Sequence, residues 1–594
     1  MAFTDSRRLT GPNVYFDRPA AALEALQPAV AEEQTALWRQ HAACIASALH
    51  WPEPAWYVKC HAKGASLAFT APLDQLYCAT EINEWAWSAV CGDNAHYAPA
   101  FPACDDIQAA IQVFRRIAAA EAEPQLLAFI ADAEARGWPV LLDEDTVSVG
   151  FGAQTRCWAR QPFPEVPRLP DAVPESIPIA MVTGSNGKTT SVRLLAAMAR
   201  AAGFASGHNC TDGLFFNGVL VEADDYSGPA GARATLRHPG VEAAILETAR
   251  GGLLRRGLAT DQALVALVTN ISEDHFGEYG VFSLDDLAQV KLTVAKGLRA
   301  GGRLVLNAGD PMLVKHGAAL REGTAWFAAD WFCKPLQEKL AQGASVCAVD
   351  NGHLSLHADG IVHDLGNVDD MPLSFRGMAR YNIENLAGAA LCAHLLGFGL
   401  EAIRSVLCAF GSANADNPGR LQRWTLGDVA VLLDYAHNPE GMSGFLSIAQ
   451  ALRGQGRMAV LLGQAGNREN DDIVRLAESV AGFQPDLVVL KDMAGYERGR
   501  EPGEVPALLR SALTMHGVAD AAVVTRLDEL EAVRQILQWA QQGDVLALPV
   551  HGLLEREAVQ KLLDGLSADG WQAGNPVPEW PLPPVSEADG HGAT

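Results

Sequence analysis

Short apolar, β-branched runs alternate with amphipathic segments through the middle of the chain. The apolar runs are Ile177–Thr183, Ala243–Thr248, Leu264–Ile271 and Arg303–Asn307. Helix-like stretches such as Ser191–Ala202 and Leu284–Leu298 separate them. Strands that alternate with helices are typical of a mostly parallel sheet covered by helices. The pattern therefore predicts an α/β domain here.

A second series of the same kind lies nearer the C-terminus. Its apolar runs are Val429–Tyr435, Met458–Leu462, Leu487–Lys491, Ala522–Thr525 and Val545–Val550. Asn417-Pro418-Gly419 stands between the two series, and these turn-forming residues predict a hinge. We therefore expect a second α/β domain after it.

The first part of the chain has a different pattern. Ala20–Leu49 and Asp105–Arg136 are rich in Ala, Leu, Glu and Gln, which predicts helices, whereas Trp51–Thr70 and Thr146–Ala153 resemble strands. A proline-rich stretch, Gln161–Pro178, follows and is typical of an extended linker. The predicted domains are 1–165, 175–415 and 416–573. Residues 574–594, rich in Pro, Gly and acidic residues, are predicted to be a disordered tail.

Composition narrows the classes of partner. Hydrophobic residues make up 49% and charged residues 19%, so the chain has ample material for cores. Its formal net charge of −25 would repel a nucleic-acid backbone or an anionic membrane surface. The 11 cysteines show no Cys-x-x-Cys spacing, and no apolar run reaches the roughly 20 residues that cross a bilayer. We expect a cytoplasmic protein that binds neither nucleic acid nor membrane.

The sharpest local motif is Thr183-Gly184-Ser185-Asn186-Gly187-Lys188-Thr189-Thr190, between an apolar run and a helical one. Glycines let backbone N–H groups close around phosphate oxygens, the lysine neutralises charge, and a threonine hydroxyl can reach Mg²⁺. The full Walker spacing would put glycine at position 182, where this chain has Val. The motif is thus a shortened phosphate loop, and the alternative is a Gly-Lys helix start that binds nothing.

Polar residues follow two further predicted strands. Glu247 comes directly after Ala243–Leu246, and Asn270-Ile271-Ser272-Glu273-Asp274-His275 follows Leu264–Thr269. The carboxyl ends of parallel strands face the ligand crevice. Glu247 is therefore a candidate Mg²⁺ ligand, and His275 adds an imidazole at the same edge. Lys291, on a predicted helix, is a further candidate. Each residue alone is more often an ordinary loop or core residue.

These residues resemble the Mur ligase superfamily, and within it the Mur-ligase-like part of cyanophycin synthetase. The motifs that match in order are the Gly184–Thr190 loop, Glu247, Asn270 with Asp274-His275, Asn307 with Asp310, Gly377 with Asn382 and Asn385, Gly419-Arg420, and Asp434-Tyr435-Ala436-His437-Asn438-Pro439. The cyanophycin-synthetase likeness is carried by Thr211-Asp212-Gly213, Ser227-Gly228-Pro229 and Arg498-Gly499-Arg500. The resemblance implies a central P-loop-type domain of mostly parallel sheet and a C-terminal Rossmann-like α/β domain after an N-terminal α+β domain.

The resemblance also implies an activity. Mur ligases activate a carboxylate with ATP as an acyl phosphate, which an amine then attacks to form an amide. By resemblance, Lys188 holds the β- and γ-phosphates, Thr189 and Glu247 bind one Mg²⁺, and His275 binds a second. Lys291 lies near the place where some Mur ligases have a carbamylated lysine.

The remaining implied roles concern the nucleotide base and the incoming amine. Asn382 and Asn385 approach adenine, Arg420 and Asp434 complete the nucleotide site, and His437 lies beside the incoming amino acid.

One departure from cyanophycin synthetase is large. That family carries an ATP-grasp domain between its N-terminal and Mur-like parts, where this chain has only the proline-rich stretch. Three alternatives stay open: a Mur-type ligase acting on a cell-wall precursor or folate, a non-catalytic ATP-binding partner of a separate ATP-grasp ligase, and a simple P-loop NTPase or kinase. The substrates, expected to be amino acids or peptides, and a homo-oligomeric state are not fixed by the sequence.

Overall fold

The computed structural model describes residues 3–27, 29–92, 106–161, 163, 169, 176–273, 276–317, 320 and 323–579. It contains two compact units, Met1–Asn417 and Pro418–Thr594, which are described separately. The boundary between them falls within the predicted hinge. Most of the proline-rich stretch and the greater part of the predicted tail lie outside the described residues.

The first unit begins with a small α+β part. Its elements are β1 (Phe3–Leu9), β2 (Ala20–Leu26), α1 (Glu32–Ala48), β3 (Trp56–His61), β4 (Gly64–Thr70), α2 (Leu76–Cys91), α3 (Ile107–Glu121), α4 (Pro124–Ala135), β5 (Val140–Leu142), β6 (Thr146–Val149) and β7 (Arg156–Ala159). The strands form two antiparallel sheets, ordered β1-β2-β4-β3 and β5-β6-β7. The α+β prediction for this part is confirmed.

One predicted helix in this part is wrong at its start. Ala20–Leu26 is strand β2, not helix, and the helix begins only at Glu32. Strand β2 pairs with β1 on one side and β4 on the other, and Ala20 to Ala25 are all buried. Alanine favours helices in isolation, but pairing on both edges and burial of both faces outweigh that preference.

The rest of the first unit is the predicted central α/β domain. Its elements are β8 (Ile179–Thr183), α5 (Lys188–Ala201), β9 (Ser206–Cys210), β10 (Gly213–Phe216), β11 (Val219–Glu222), α6 (Pro229–Arg237), β12 (Ala243–Glu247), α7 (Arg250–Arg255), β13 (Ala263–Val268), α8 (Leu284–Leu292), β14 (Leu298–Asn307), α9 (Pro311–Gly317), β15 (Ala325–Phe327), α10 (Lys334–Ala341), β16 (Val346–Asp350), β17 (His353–Ala358), β18 (Ile361–Asn367), α11 (Arg380–Leu395) and α12 (Leu400–Ala409).

The central sheet has the order β11-β10-β9-β12-β8-β13-β14-β15-β16-β17-β18. The seven central strands of this order, β9-β12-β8-β13-β14-β15-β16, are parallel. At the edges, β10 with β11 and β17 with β18 pair antiparallel. Ala180 and Val182 pack into the core on one face, whereas Ile179 and Met181 pack into the core on the other. Both faces are thus covered, as expected for a mostly parallel sheet.

The second unit is a smaller α/β sandwich. Its elements are β19 (Gln422–Leu426), β20 (Val429–Asp434), α13 (Pro439–Arg453), β21 (Met458–Leu462), α14 (Asn470–Ala481), β22 (Leu487–Leu490), α15 (Glu504–Met515), β23 (Val523–Thr525), α16 (Glu529–Trp539), β24 (Val545–Pro549) and α17 (Leu553–Ala568). The sheet order is β19-β20-β24-β21-β22-β23, parallel except for β19. The predicted α/β fold class is confirmed in both units.

Strand β2 offers a matched pair of leucines for testing its burial. Leu23 is fully buried, whereas Leu26 at the end of the same strand is 49% exposed. We expect Leu23→Ala to lower the free energy of unfolding by about 2–5 kcal/mol, because a cavity is left in the core. Leu26→Ala should change it by less than about 0.5 kcal/mol. Urea unfolding measures both, and equal losses would contradict the assignment of β2 as a buried strand.

The buried side chain of His208, on β9, predicts a pH dependence of stability. Its ring stacks on Phe215 at 4.6 Å, and burial, with the nearby charges of Arg193 and Arg200, lowers its pKa to about 3. The unfolded chain binds a proton at this histidine below about pH 6.5, whereas the folded chain does not until near pH 3. The free energy of unfolding that the neutral His208 contributes is fully present above about pH 6.5 and is lost as the pH falls from 6.5 towards 3.

Between pH 6.5 and pH 5 the wild type should lose about 2 kcal/mol more of unfolding free energy than His208→Phe. Urea unfolding at a series of pH values measures this difference. The same substitution at the exposed His516 is the control. Parallel pH profiles for wild type and His208→Phe would refute the prediction.

Candidate active site

The Gly184–Gly187 loop connects β8 to α5 and has no room for a side chain at either of its two glycines. Gly184 has φ +149°, and a Cβ there would lie 1.8 Å from the hydroxyl of Thr269. Gly187 has φ +81°, and its Cβ would lie 2.2 Å from Oδ1 of Asn385. Both positions need glycine, because the loop runs between the end of β13 and helix α11.

The loop is tied to the segment that follows β13. The Ser185 hydroxyl donates to the carbonyl of Ser272 at 2.9 Å, and the Asn186 amide donates to Oδ1 of Asn270 at 2.8 Å. The Thr269 hydroxyl donates to the carbonyl of Asn186 at 2.6 Å. These bonds fix the loop backbone at the N-terminus of α5, where backbone N–H groups favour anions.

Lys188 and Thr190 begin helix α5. The Nζ of Lys188 donates to the carbonyls of Gly184 and Ser185, both at 2.9 Å, so its ammonium lies across the loop. The Thr190 hydroxyl accepts a bond from the side-chain amide of Asn417 at 3.3 Å. A phosphate at the loop would thus meet a lysine charge already held in place.

Glu247 and Thr189 form a buried oxygen pair beside the loop. The Thr189 hydroxyl donates to Oε2 of Glu247 at 2.9 Å, and the Thr211 hydroxyl donates to Oε1 at 3.0 Å. Glu247 is only 1% exposed. Mg²⁺ prefers such hard oxygen ligands and keeps water or phosphate oxygens in its remaining positions. The pair therefore fits one Mg²⁺.

The proposed second metal ligand, His275, lies outside the described residues, as does Asp274. Within the ranges that the structure describes, no group of three or more His, Cys, Asp or Glu side chains is arranged to hold a metal ion. Any Mg²⁺ at Thr189 and Glu247 would thus take most of its ligands from elsewhere, in keeping with the usual chemistry of this ion.

Lys291 lies at the end of helix α8 and is 1% exposed. Its Nζ donates to the carbonyl of Gly184 at 2.8 Å. The sequence singled it out for its likeness to a metal-site lysine. The structure brings its ammonium against the backbone of the phosphate loop, next to Lys188.

Two asparagines on α11 lie behind the loop. Asn385 donates to Oδ1 of Asn382 at 3.1 Å, and Asn382 donates to the carbonyl of Leu373 at 3.0 Å. Both side chains are buried, and Oδ1 of Asn385 faces Gly187. These contacts fix the two asparagine side chains beside the loop. Their contact with adenine stays a prediction.

In the second unit, Arg420, Asp434 and His437 lie around the carboxyl end of β20. Oδ2 of Asp434 accepts from the amide of Leu421 at 2.7 Å. Burial raises the pKa of Asp434, and the charge of Arg420 acts in the opposite direction. Arg420 also stacks over the ring of Tyr435 at 4.2 Å.

The ring of His437 is held by its own turn. Nδ1 of His437 lies 3.1 Å from the carbonyl of Tyr435, and the side chain of Gln464 donates to the His437 carbonyl at 2.9 Å. The structure thus brings Arg420, Asp434 and His437 to one strand end. Their roles toward nucleotide and amine remain predictions.

Sequence reasoning missed a buried polar cluster in the second unit. Lys491 is fully buried, forms an ion pair with Glu529 and contacts Nδ1 of His551 at 2.9 Å. With Nδ1 accepting from the lysine, Nε2 of His551 donates to the carbonyl of Ala436 at 3.0 Å. Burial, with the charge of Lys491, holds the pKa of His551 well below its usual range. The cluster thus fixes the turn that carries His437.

A signal for this cluster existed in the sequence. Lys491 directly follows the buried strand β22, and His551 follows β24 after one residue, so both stand at carboxyl ends of parallel strands. That is the position that pointed to Glu247 and Asn270.

Two family models match the chain. The Mur ligase middle domain matches residues 182–393, and the Mur ligase glutamate ligase domain matches residues 419–548. The matched ranges contain the phosphate loop, Glu247, Lys291 and both α11 asparagines in the first case, and Arg420, Asp434 and His437 in the second.

Curated relatives agree with these models. Cyanophycin synthetase of Geminocystis herdmanii is 32% identical over 380 residues, which is 64% of this chain and 43% of that protein. The one from Trichormus variabilis is 34% identical over 374 residues, 63% of this chain and 41% of that protein. The chain thus spans less than half the length of these relatives.

More distant matches are Mur ligases. UDP-N-acetylmuramyl-tripeptide synthetase of Leifsonia xyli is 29% identical over 388 residues, 61% of this chain and 68% of that protein. Among solved structures, E. coli FolC in complex with DHPP and ADP covers 65% of this chain and 89% of its own, at 18% identity and a TM-score of 0.49. The domain models and the sequence relatives confirm the resemblance inferred from the motifs: the chain carries the middle and glutamate ligase domains of the Mur ligases.

Proposed function

We propose that the protein is an ATP-dependent carboxylate–amine ligase that forms an amide bond through an acyl phosphate. The observation that carries the proposal is the hydroxyl–carboxylate pair of Thr189 and Glu247 beside a glycine-lined loop and Lys188. This arrangement suits a nucleoside triphosphate with Mg²⁺. Similarity to cyanophycin synthetases over the Mur-ligase domains supports the ligase reaction.

The reaction has two steps. A carboxylate oxygen of the substrate attacks the γ-phosphorus of ATP, the bond to the bridging oxygen breaks, and ADP leaves. The amine then attacks the carbonyl carbon, loses a proton and expels inorganic phosphate. Positioning and charge neutralisation supply most of the catalysis in phosphoryl transfer, so no protein nucleophile is needed.

Each proposed residue has a part in this scheme. Lys188 and the loop amides neutralise and orient the phosphates. Bound Mg²⁺, held by Thr189 and Glu247, would offset the negative charge on the transferred phosphoryl group. In the proposal His275 is a ligand of a second Mg²⁺, and Lys291 supports the loop.

The remaining proposed roles rest on the resemblance alone. Asn382 and Asn385 belong to the adenine site, and Arg420 and Asp434 bind nucleotide. His437 lies beside the amine. A cytoplasmic location belongs to the same proposal, because ATP is plentiful there.

The substrates are proposed from the relatives. Cyanophycin synthetases suggest aspartate-containing peptides as the carboxylate and arginine, lysine or another basic amino acid as the amine. The match to UDP-N-acetylmuramyl-tripeptide synthetase keeps a cell-wall precursor as the second candidate. Mass spectrometry of products after incubation with ATP, Mg²⁺ and pooled amino acids, dipeptides and cell-wall precursors distinguishes them. ATP binding without any amide product would favour a non-catalytic partner of a separate ATP-grasp ligase.

Lys188→Ala should lower amine-dependent ADP release by about a hundredfold or more, because an aligned charge on the phosphates is lost. The same substitution at Lys334, whose side chain is 87% exposed, is the matched control and should leave the rate unchanged. A coupled ADP assay measures both. Undiminished amine-dependent ADP release by Lys188→Ala would defeat the assignment.

Gly187→Ala should abolish nucleotide binding while the chain stays folded, because its Cβ would collide with Oδ1 of Asn385 and distort the loop. Gly203→Ala is the control: Gly203 also has positive φ, at +92°, but its Cβ would meet nothing within 4 Å. Calorimetric titration with Mg·ADP gives the affinities, and circular dichroism checks the fold. If both variants bound Mg·ADP alike, the close packing of the loop would not govern binding.

A further inference from the structure

Helix α8 connects the N-terminal sheet to the phosphate loop. Near its start, Asp286 forms an ion pair with Lys59 of strand β3, at 2.6 Å. At its end, Lys291 donates to the carbonyl of Gly184. We infer that Lys59 is a positioning residue, which sets the place of the phosphate loop through α8. The inference rests on the proposed function only where the binding of Mg·ADP is measured.

The contact made by Lys59 is specific. Besides Asp286, its Nζ donates to the carbonyl of Gly280 at 2.9 Å. The other carboxylate oxygen of Asp286 accepts from the amide of Phe282 at 3.0 Å, and the Ser283 hydroxyl caps the helix by accepting from the Asp286 amide at 3.2 Å. One ammonium therefore holds both the first turn of α8 and the segment that leads into it.

Packing around this ion pair leaves little freedom. A Cβ on Gly280, which has φ +71°, would lie 2.2 Å from the hydroxyl of Ser66 on β4. The ring of His61 lies 4.6 Å from that of Phe282. The side chains of Lys59 and Asp286 are 30% and 16% exposed, so solvent screens the pair only in part. Strands β3 and β4 thus clamp residues 280–286.

A second contact shows that the N-terminal sheet is anchored to the central domain. Arg7 on β1 is 3% exposed, pairs with Glu24 on β2 at 2.6 Å and donates to the carbonyl of Leu254 on α7 at 2.8 Å. A buried guanidinium with these partners is expensive to displace. The N-terminal sheet is therefore fixed to the central domain, and Lys59 of this sheet is held in place with it.

Helix α8 transmits position because one face is buried. Leu287, Ala288 and Val290 belong to the core on the face of the central sheet where Ile179 and Met181 pack. A helix of this kind shifts as a unit, since a packed core does not deform continuously. A displacement at Asp286 would reach Lys291, whose ammonium lies 2.8 Å from the Gly184 carbonyl. The N-terminal part then belongs to the machinery that holds the loop.

The test compares Lys59→Met with Lys315→Met in the full chain. Lys315, on α9, pairs with Asp285, the neighbour of Asp286 on α8, so the control removes a lysine–aspartate pair from the same helical turn without touching the N-terminal sheet. Two measurements are made: Kd for Mg·ADP by calorimetry, and hydrogen exchange of peptides covering 182–190 and 284–292 by mass spectrometry.

For Lys59→Met we expect faster exchange in both peptides and a Kd for Mg·ADP raised about twofold to fivefold, the size of one partly exposed ion pair. Lys59→Arg should restore both, and Lys315→Met should resemble wild type. Asp286→Asn, which keeps the shape of the side chain, must reproduce the effect of Lys59→Met. It replaces Lys59→Met in both measurements if that variant does not fold.

Wild-type exchange and affinity in Lys59→Met, or an equal effect in Lys315→Met, would overturn the inference. Failure of the proposed function gives a different result: wild-type protein would then form no amide product, whatever Lys59 does. If wild type did not bind Mg·ADP at all, the exchange of the two peptides alone would decide the inference.

Discussion

The narrow path of the phosphate loop between β13 and α11 is the constraint on which the site depends. The loop has no space for a side chain at Gly184 or Gly187, because Thr269 and Asn385 already fill it. On the β13 side the loop is held by hydrogen bonds: the Thr269 hydroxyl donates to the Asn186 carbonyl, and the amides of Ser185 and Asn186 donate to Asn270. The loop therefore depends on fixed relative positions of the strand before it, the helix after it and α11.

The same constraint explains where the charged groups lie. Parallel strands end at one edge of the sheet, so Glu247 from β12 and Asn270 after β13 reach the loop from neighbouring strands. Lys188 and Lys291 bring positive charge to the backbone carbonyls of the loop, whereas the Glu247 carboxylate accepts hydrogen bonds from two threonine hydroxyls. A site with both lysine charges and a buried carboxylate is suited to a phosphate chain that carries a divalent cation, whose charges complete the balance.

Much of this could be predicted from local sequence. The strands of both α/β series are runs that are apolar on both faces, and glycine with lysine marks the loop, so neighbouring residues alone carry the information. Strand β2 could not be predicted, because its alanines favour a helix until β1 and β4 pair with them. The Lys491–Glu529–His551 cluster was also missed. Lys491 follows β22, His551 follows β24 and Glu529 begins α16, so only the tertiary fold brings them together.

The contacts of the N-terminal part with helix α8 also cannot be predicted from local sequence, and they stabilise this helix. Helix α8 spans Leu284–Leu292, which is shorter than the roughly 12–15 residues that an isolated helix needs. Its ends would fray without tertiary contacts, and its C-terminal end carries Lys291. The Ser283 cap and the Lys59 ion pair secure the first turn, and the core on one face of the central sheet secures the middle. The lysine that touches the phosphate loop is therefore held in place by a strand that precedes the loop by more than a hundred residues, and a local motif search has no means of finding such a dependence.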